Sequence, residues 1–277
     1  MTVAVNYQAT AKAHNLTTQA QLITRYNSAV EQLGSASPAS RTGAVYALGR
    51  LALDSPYDRT VIVELLNNYV LSSIGPRAIG YEACAKAHPP PVEINAALKV
   101  LLNTLQPKRM SGDKPLDLSG SCLVEVELPG ADLRCVIFDN VITHGASFER
   151  ANFTGANMQQ AELMESSFDG ANFTQADLTE AKFGVSGDIA SSEMARTVFR
   201  EADLTKAELV EVDLSDADFT LAVLNGTNLS KSKFAGAIMA THLDKAVNLP
   251  PNIDRSVALP APLPPSASSP SAPECRE

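Results

Sequence analysis

From Leu118 to Met239 a large apolar residue returns every fifth position, a period that fits neither the alternation of a strand nor the three- and four-residue spacing of an amphipathic helix. A fixed five demands a backbone that winds back on itself, a solenoid. Written in fives the run reads LDLSG, SCLVE, VELPG, ADLRC, VIFDN, VITHG, ASFER, ANFTG, ANMQQ, AELME, SSFDG, ANFTQ, ADLTE, AKFGV and, after an interruption, TVFRE, ADLTK, AELVE, VDLSD, ADFTL, AVLNG, TNLSK, SKFAG, AIMAT. The centre is Leu, Phe or Met except at Thr143. Two residues earlier stands Ala, Ser, Val or Thr, except at Leu116.

If each pentad forms one side of a coil and turns a right angle, four pentads close a circuit and residues twenty apart stack. At the inter-strand distance of about 4.8 Å the units make roughly six coils and a rod about 28 Å tall. The centres and the small residues then point inward and the other three positions face water. The expected columns are Leu133, Phe153 and Phe173; Phe138, Met158 and Leu178; and Leu128, Phe148 and Phe168. Thr143, between Leu123 and Leu163, puts a hydroxyl in the axis, which must bond a backbone carbonyl or leave the coil loose. The centres hold register to Phe183 and resume at Phe199, so an eleven-residue insertion is expected at 186–196.

The chain ahead of the repeat reads as short helices. Leu22, Ile23, Tyr26, Val30 and Leu33 predict a helix from Thr18 to Leu33, stopped by Gly34. Ser37-Pro38 opens a second in cap-then-proline order, with Ala44, Val45, Leu48, Leu51 and Ala52 inward. Ser55-Pro56 opens a third, reaching about Ser72 and burying Val61, Ile62, Leu65, Leu66, Tyr69 and Val70. Residues 75–91 read as a connection, and Val92 to Leu105 as a fourth helix. The expected organisation is a flexible N-terminus at 1–16, an α-helical HEAT- or armadillo-like domain at 17–107, a linker at 108–115, the β solenoid at 116–247 and a disordered proline-rich tail at 252–277. In that tail Pro262-Leu263-Pro264-Pro265 has the form of a polyproline ligand.

Residues 1–115 carry 11 basic and 7 acidic groups, and residues 116–247 carry 9 and 21. A phosphate backbone is repelled by such a rod, so direct nucleic-acid binding is not expected. Glu201, Asp203, Glu208, Glu211, Asp213, Asp216 and Asp218 form the densest acidic run and the candidate interaction surface. Cys84, Cys122, Cys135 and Cys275 show no CxxC spacing, and all four are expected to be reduced. No apolar stretch is long enough to span a membrane, and the N-terminus lacks the plan of a secretory signal, so a cytoplasmic protein is expected.

The units ADLRC, ANFTG, ADLTE and ADLTK resemble the pentapeptide-repeat family over about 116–247. That resemblance implies a mainly β fold, a right-handed quadrilateral β-helix, without enzymatic activity. Residues 21–70 resemble the helical segment that precedes such repeats in a group of bacterial proteins, many of which begin with membrane helices that this chain lacks.

Three functional readings follow. The first is a non-enzymatic scaffold that binds an unknown protein partner, without cofactor or metal and with weak end-to-end self-association through the solenoid's open edge. The second, carried by the resemblance, is an acidic DNA mimic that occupies a type II topoisomerase such as gyrase; a bacterial membrane-associated role stands beside it. The third is an enzyme. Its only cue is Cys84 four residues before His88, since His14, His88, His144 and His242 are dispersed and no HExxH, GxSxG or GxxxxGK occurs.

Overall fold

The computed structural model describes residues 19–74, 80–106, 115–184, 190–243, 245–250, 253 and 275. The N-terminus at 1–16, the linker except Pro115, and the tail except Ile253 and Cys275, with its polyproline-like motif, lie outside the described residues.

Helix α1 spans 19–33. Helix α2, Pro38–Asp54, begins where expected: the Ser37 hydroxyl accepts the Ser40 amide at 3.4 Å and Pro38 holds the first turn. Its stripe of Ala44, Val45, Leu48, Leu51 and Ala52 is buried. Helix α3, Pro56–Ile74, buries Ile62, Leu66, Val70 and Ile74, whereas Val61, expected inside, is exposed. The supposed connection holds a short helix α4, Tyr81–Ala85. Helix α5, Val92–Lys99, continues as a widened π-turn, Val100–Leu105, in which the Gln106 amide reaches five residues back to Leu101 O. Gly49 lets this turn approach α2, since a Cβ there would stand 2.5 Å from Val100 Cγ1. Arg41 clamps the bundle: Nε donates to Glu93 Oε1 at 2.8 Å, and Nη1 donates to the Ser35 and Ala36 carbonyls at 2.8 and 3.0 Å.

The rod has four faces, and its coils pair in parallel. The step is twenty residues, as in Asp117 with Ile137, Ile137 with Asn157 and Asn157 with Asp177. Face one carries the centres Leu118, Phe138, Met158, Leu178, Leu204 and Leu224; face two Leu123, Thr143, Leu163, Phe183, Leu209 and Leu229. Face three carries Leu128, Phe148, Phe168, Met194, Leu214 and Phe234; face four Leu133, Phe153, Phe173, Phe199, Phe219 and Met239. All are buried. Strand β1, Cys122–Val124, pairs with β2, Ile142–His144, and β3, Lys182–Gly184, with β4, Glu208–Leu209, all on face two.

Two local devices explain the repeat's polar letters. The fifth residue turns the corner in the left-handed region, as Gly130 (φ +65), Gly170 (φ +67), Arg150 (φ 55) and Gln175 (φ 57) do, which accounts for the recurrent glycine there. The Asp or Asn before the centre accepts the amide two residues on: Asn152 takes Thr154 N at 3.1 Å, and Asp218 takes Thr220 N at 2.9 Å. The hydroxyl of that Thr closes on the same oxygen at 2.6 Å in both cases.

The columns form as expected. Phe153, Phe173, Phe199 and Phe219 stack with successive centroids 4.9, 5.2 and 4.9 Å apart, and Phe148 lies 5.2 Å over Phe168. The insertion is shorter than the spacing of phenylalanines implies. Met194 is itself a centre, with Glu193 paired to Ser167 and Asp213, so register resumes eleven residues after Phe183 where five were due. The extra residues are the six at 186–191, and 192–196 belong to a regular unit rather than to an excursion.

Thr143 is fully buried and finds a side-chain partner instead of a carbonyl. Ser166 Oγ lies 2.9 Å from Thr143 Oγ1 and 3.1 Å from Met164 O, so its one proton has two acceptors. Thr143→Val is therefore expected to change stability by no more than about 1 kcal/mol in urea denaturation, Ser166 keeping the carbonyl. At the C-terminal end Leu243 and Ile253 are buried against the last coil, with Ala246 and Leu249 beside them, so that end carries an apolar cap.

Candidate functional site

The seven acidic residues singled out from the sequence do not share a face. Glu201 stands at the corner between faces four and one, Asp203 on face one, Glu208 on face two and Glu211 at the next corner. Asp213 follows on face three, Asp216 at a corner and Asp218 on face four, so together they make one circuit of the rod. Most are engaged. Lys231 Nζ lies 2.6 Å from Glu211, Lys233 Nζ 3.4 Å from Asp213, Arg200 Nε 2.5 Å from Asp218, and Gln175 Nε2 donates to Glu201 at 2.9 Å. The Ser215 hydroxyl holds the Asp213 carboxyl below its ordinary range. For Asp218 burial pushes upward, but the hydrogen bonds from Thr220 and Arg200 outweigh it and the carboxyl is also lowered.

Among the described residues functional groups converge on face two instead, where five positions that should be polar are not. Val124, Met164 and Val210 follow their centres yet are buried, and Cys122 and Ile142 precede theirs and are buried too. Helix α4 covers the lower part, and the segment 190–192 covers the upper: Glu165 N donates to Ala190 O at 3.1 Å, and Ser191 Oγ to Val210 O at 2.7 Å.

Cys84 of α4 is bonded to Cys122, with Cα atoms 5.7 Å apart, and Cys135 to Cys275, with Cα atoms 5.3 Å apart. Both separations suit a disulfide. The expectation of reduced cysteines is thus overturned, because partners distant in sequence meet where Cys84 of α4 and Cys275 reach the rod. Cys84 consequently has no thiol to act as a nucleophile with His88.

Above this bond Tyr81 Oη lies 3.1 Å from His144 Nδ1, and Glu165 Oε2 lies 3.3 Å from the same nitrogen. The two rings meet edge-on at 5.9 Å. Burial pushes the Tyr81 phenol well above its ordinary value, with Glu165 and Glu162 adding to it. Tyr81 therefore stays protonated as a donor. The chain of groups closes on itself and holds α4 to the rod. Among the described residues no cluster of three or more His, Cys, Asp or Glu side chains is placed to hold a metal ion, and no helix is long and apolar enough to cross a membrane.

On face one Asp139 is unusual. Burial raises its pKa, Asp177 and Asp117 add to the effect, and the Gln159 amide only partly opposes it. A carboxyl whose folded value exceeds its unfolded value favours folding in acid and loses that contribution as pH rises through the folded value. Asp139→Asn is accordingly expected to raise the melting temperature at about pH 7 and to leave it unchanged near pH 3, where both states are protonated.

The profile of the family described as Pentapeptide repeats matches residues 145–184, 188–220 and 202–239, with 8 copies. No curated protein matches the chain. Among solved structures it is similar to QnrB1, a plasmid-mediated fluoroquinolone resistance protein, at 18% identity, 47% of this chain, 59% of that one and a TM-score of 0.35. It is similar to HetL, a pentapeptide repeat protein involved in heterocyst differentiation regulation from the cyanobacterium Nostoc sp. strain PCC 7120, at 19% identity, 45% and 79% coverage and a TM-score of 0.22. A pentapeptide repeat protein from the Arabidopsis thaliana thylakoid lumen matches at 23% identity, 43% and 66% coverage and a TM-score of 0.18. The chain spans about three fifths of the QnrB1 chain, and likenesses of this extent say nothing of what it does. With the coil geometry and the family match agreeing over 145–184 and 190–239, the chain carries a pentapeptide-repeat domain behind an N-terminal helical segment.

Proposed function

We propose that the chain is a non-enzymatic interaction protein, in which a right-handed four-sided rod and a HEAT- or armadillo-like helical segment present one rigid surface to a protein partner. The observation that supports this is the Cys84–Cys122 bond, which fixes α4 on face two and removes the freedom that two linked segments would otherwise have. Tyr57, 94% exposed, and Val61 one turn later on α3 are the apolar groups offered to a partner. The test is affinity capture from an extract of the native host without reductant. A specific partner held by the full chain and lost with Tyr57→Ser plus Val61→Ser, at unchanged circular dichroism, supports the reading; no specific partner, or turnover of a substrate, overturns it.

The seven acidic residues are spread around the rod, and Glu211, Asp213 and Asp218 have basic partners, so their charge is not gathered toward one basic groove. No inhibition of gyrase supercoiling is expected. Two disulfides favour an oxidising compartment over the cytoplasm expected at first.

A further inference from the structure

The two disulfides are held in different ways. Cys84 is fully buried and Cys122 is 6% exposed, with Val124, Ile142, Tyr81 and Ala87 packed around them. Tyr81, one turn before Cys84, ties α4 to His144 at 3.1 Å, so α4 keeps a second anchor that returns Cys84 to Cys122 whenever their bond opens.

The other bond offers an exposed sulfur. Cys135 is 7% exposed and turns the corner between faces four and one with φ 60; Gly155 occupies the same corner one coil above, so no side chain roofs the bond from that side. Cys275 is partly exposed, and its Sγ lies 3.7 Å from Gly155 O. The next described residue of its chain is Ile253, 22 positions earlier and buried in the cap on the last coil. About five coil steps, roughly 24 Å, separate that cap from Cys135, whereas a chain of about 22 residues reaches up to roughly 70 Å. The bond can therefore open and close with no coil displaced.

Thiol–disulfide exchange depends on access to the sulfur attacked and on how readily the opened pair recloses. A tether of this length returns a released Cys275 to Cys135 at an effective concentration of about millimolar order, far below that of groups packed side by side. The closed bond joins positions 140 residues apart and so encloses nearly the whole rod, which confines the unfolded chain far more than the folded one.

We propose that Cys135–Cys275 is a redox switch: a dithiol opens it while Cys84–Cys122 stays closed, and the state of the bond sets the stability of the rod. In the first step a thiolate of the dithiol attacks Cys275 Sγ, the Sγ–Sγ bond breaks, and its electron pair leaves on Cys135 Sγ, which takes up a proton. The second thiolate of the dithiol then attacks the reagent's own sulfur in the mixed disulfide and expels the Cys275 thiolate, which is protonated in turn. Both cysteines end as thiols and the dithiol ends as an intramolecular disulfide. The switch does not rest on the partner surface at Tyr57 and Val61, so failure of either reading leaves the other standing.

The experiment equilibrates the full oxidised chain with a series of dithiothreitol concentrations under native conditions, blocks free thiols with N-ethylmaleimide and locates them by peptide mass spectrometry. Half-reduction of Cys135–Cys275 is expected at about tenfold less dithiothreitol than Cys84–Cys122 requires. At that concentration circular dichroism is expected to be unchanged, and the unfolding equilibrium constant in urea to rise about a thousandfold. Cys135→Ser plus Cys275→Ser should match the singly reduced chain and no longer respond to that dose. Oxidised glutathione, added to an unblocked sample, should restore the bond and the original stability. Opening of both bonds at one concentration, earlier opening of Cys84–Cys122, failure of the bond to re-form, or an unfolding constant unmoved by its loss overturns the proposal.

Discussion

Replacing Phe173 by alanine is expected to cost about 4 kcal/mol, the range for emptying a buried aromatic site. Its ring stacks on Phe153 at 4.9 Å and on Phe199 at 5.2 Å, and meets Phe168 and Phe183 at 5.8 and 5.7 Å. No coil touches any but its neighbours, so stability along the rod is a sum of coil-to-coil terms. A hole at the third level of face four severs the terms that join the lower coils to the upper ones. Urea unfolding should then split into two steps. Phe234, 8% exposed and with Phe219 at 6.3 Å as its one ring contact among the described residues, provides the contrast. Phe234→Ala is expected to cost about half as much and to leave the transition single, because above it the last coil meets only a short cap and not another full coil.

The second large effect concerns the helical segment. Changing both Cys84 and Cys122 to serine opens a closure spanning 38 residues, and the chain-entropy treatment gives about 4 kcal/mol for a loop of that size. The loss should fall on one place. Cys122, Val124 and Ile142 are kept dry by Cys84, Tyr81 and Ala87, so freeing α4 wets face two at its first two coils. Hydrogen exchange is expected to accelerate at 122–124 and 142–144 and to stay slow at 171–183, where the rod supports itself. Reduction of the wild-type chain should reproduce the pattern. Uniform acceleration along the rod would show that α4 is a general brace for the solenoid instead of a local cover.

Much of the fold is legible because a five-residue period has few physical solutions. The Phe153 to Phe219 column, the left-handed corner glycines and the Ser37-Pro38 helix start all follow from local chemistry. What escaped was long-range or hidden by spacing. The interval from Phe183 to Phe199 concealed Met194, although Ser192 two residues before it already matched the repeat. The covered face had a signal as well: Val124, Met164 and Val210 are large apolar residues at a position that elsewhere is mostly polar or small, and an apolar residue pointing outward announces something packed upon it. Cys122 and Cys135 also sit at outward positions of the repeat, yet no spacing rule connects them to Cys84 and Cys275 across 38 and 140 residues. The acidic run does not form one face, for a geometric reason. A chain that completes a circuit every twenty residues spreads a dense stretch of carboxylates over all four sides.

The claim on which the functional reading rests is that the helical segment and the rod are locked together by Cys84 and Cys122. Tryptic digestion under non-reducing conditions, followed by mass spectrometry, tests it most directly. The account expects the peptide containing Cys84 to be recovered joined to the peptide containing Cys122, with Cys135 joined to Cys275. Recovery of free thiols at Cys84 and Cys122 in protein isolated without reductant would contradict it, as would a bond joining Cys84 to Cys275.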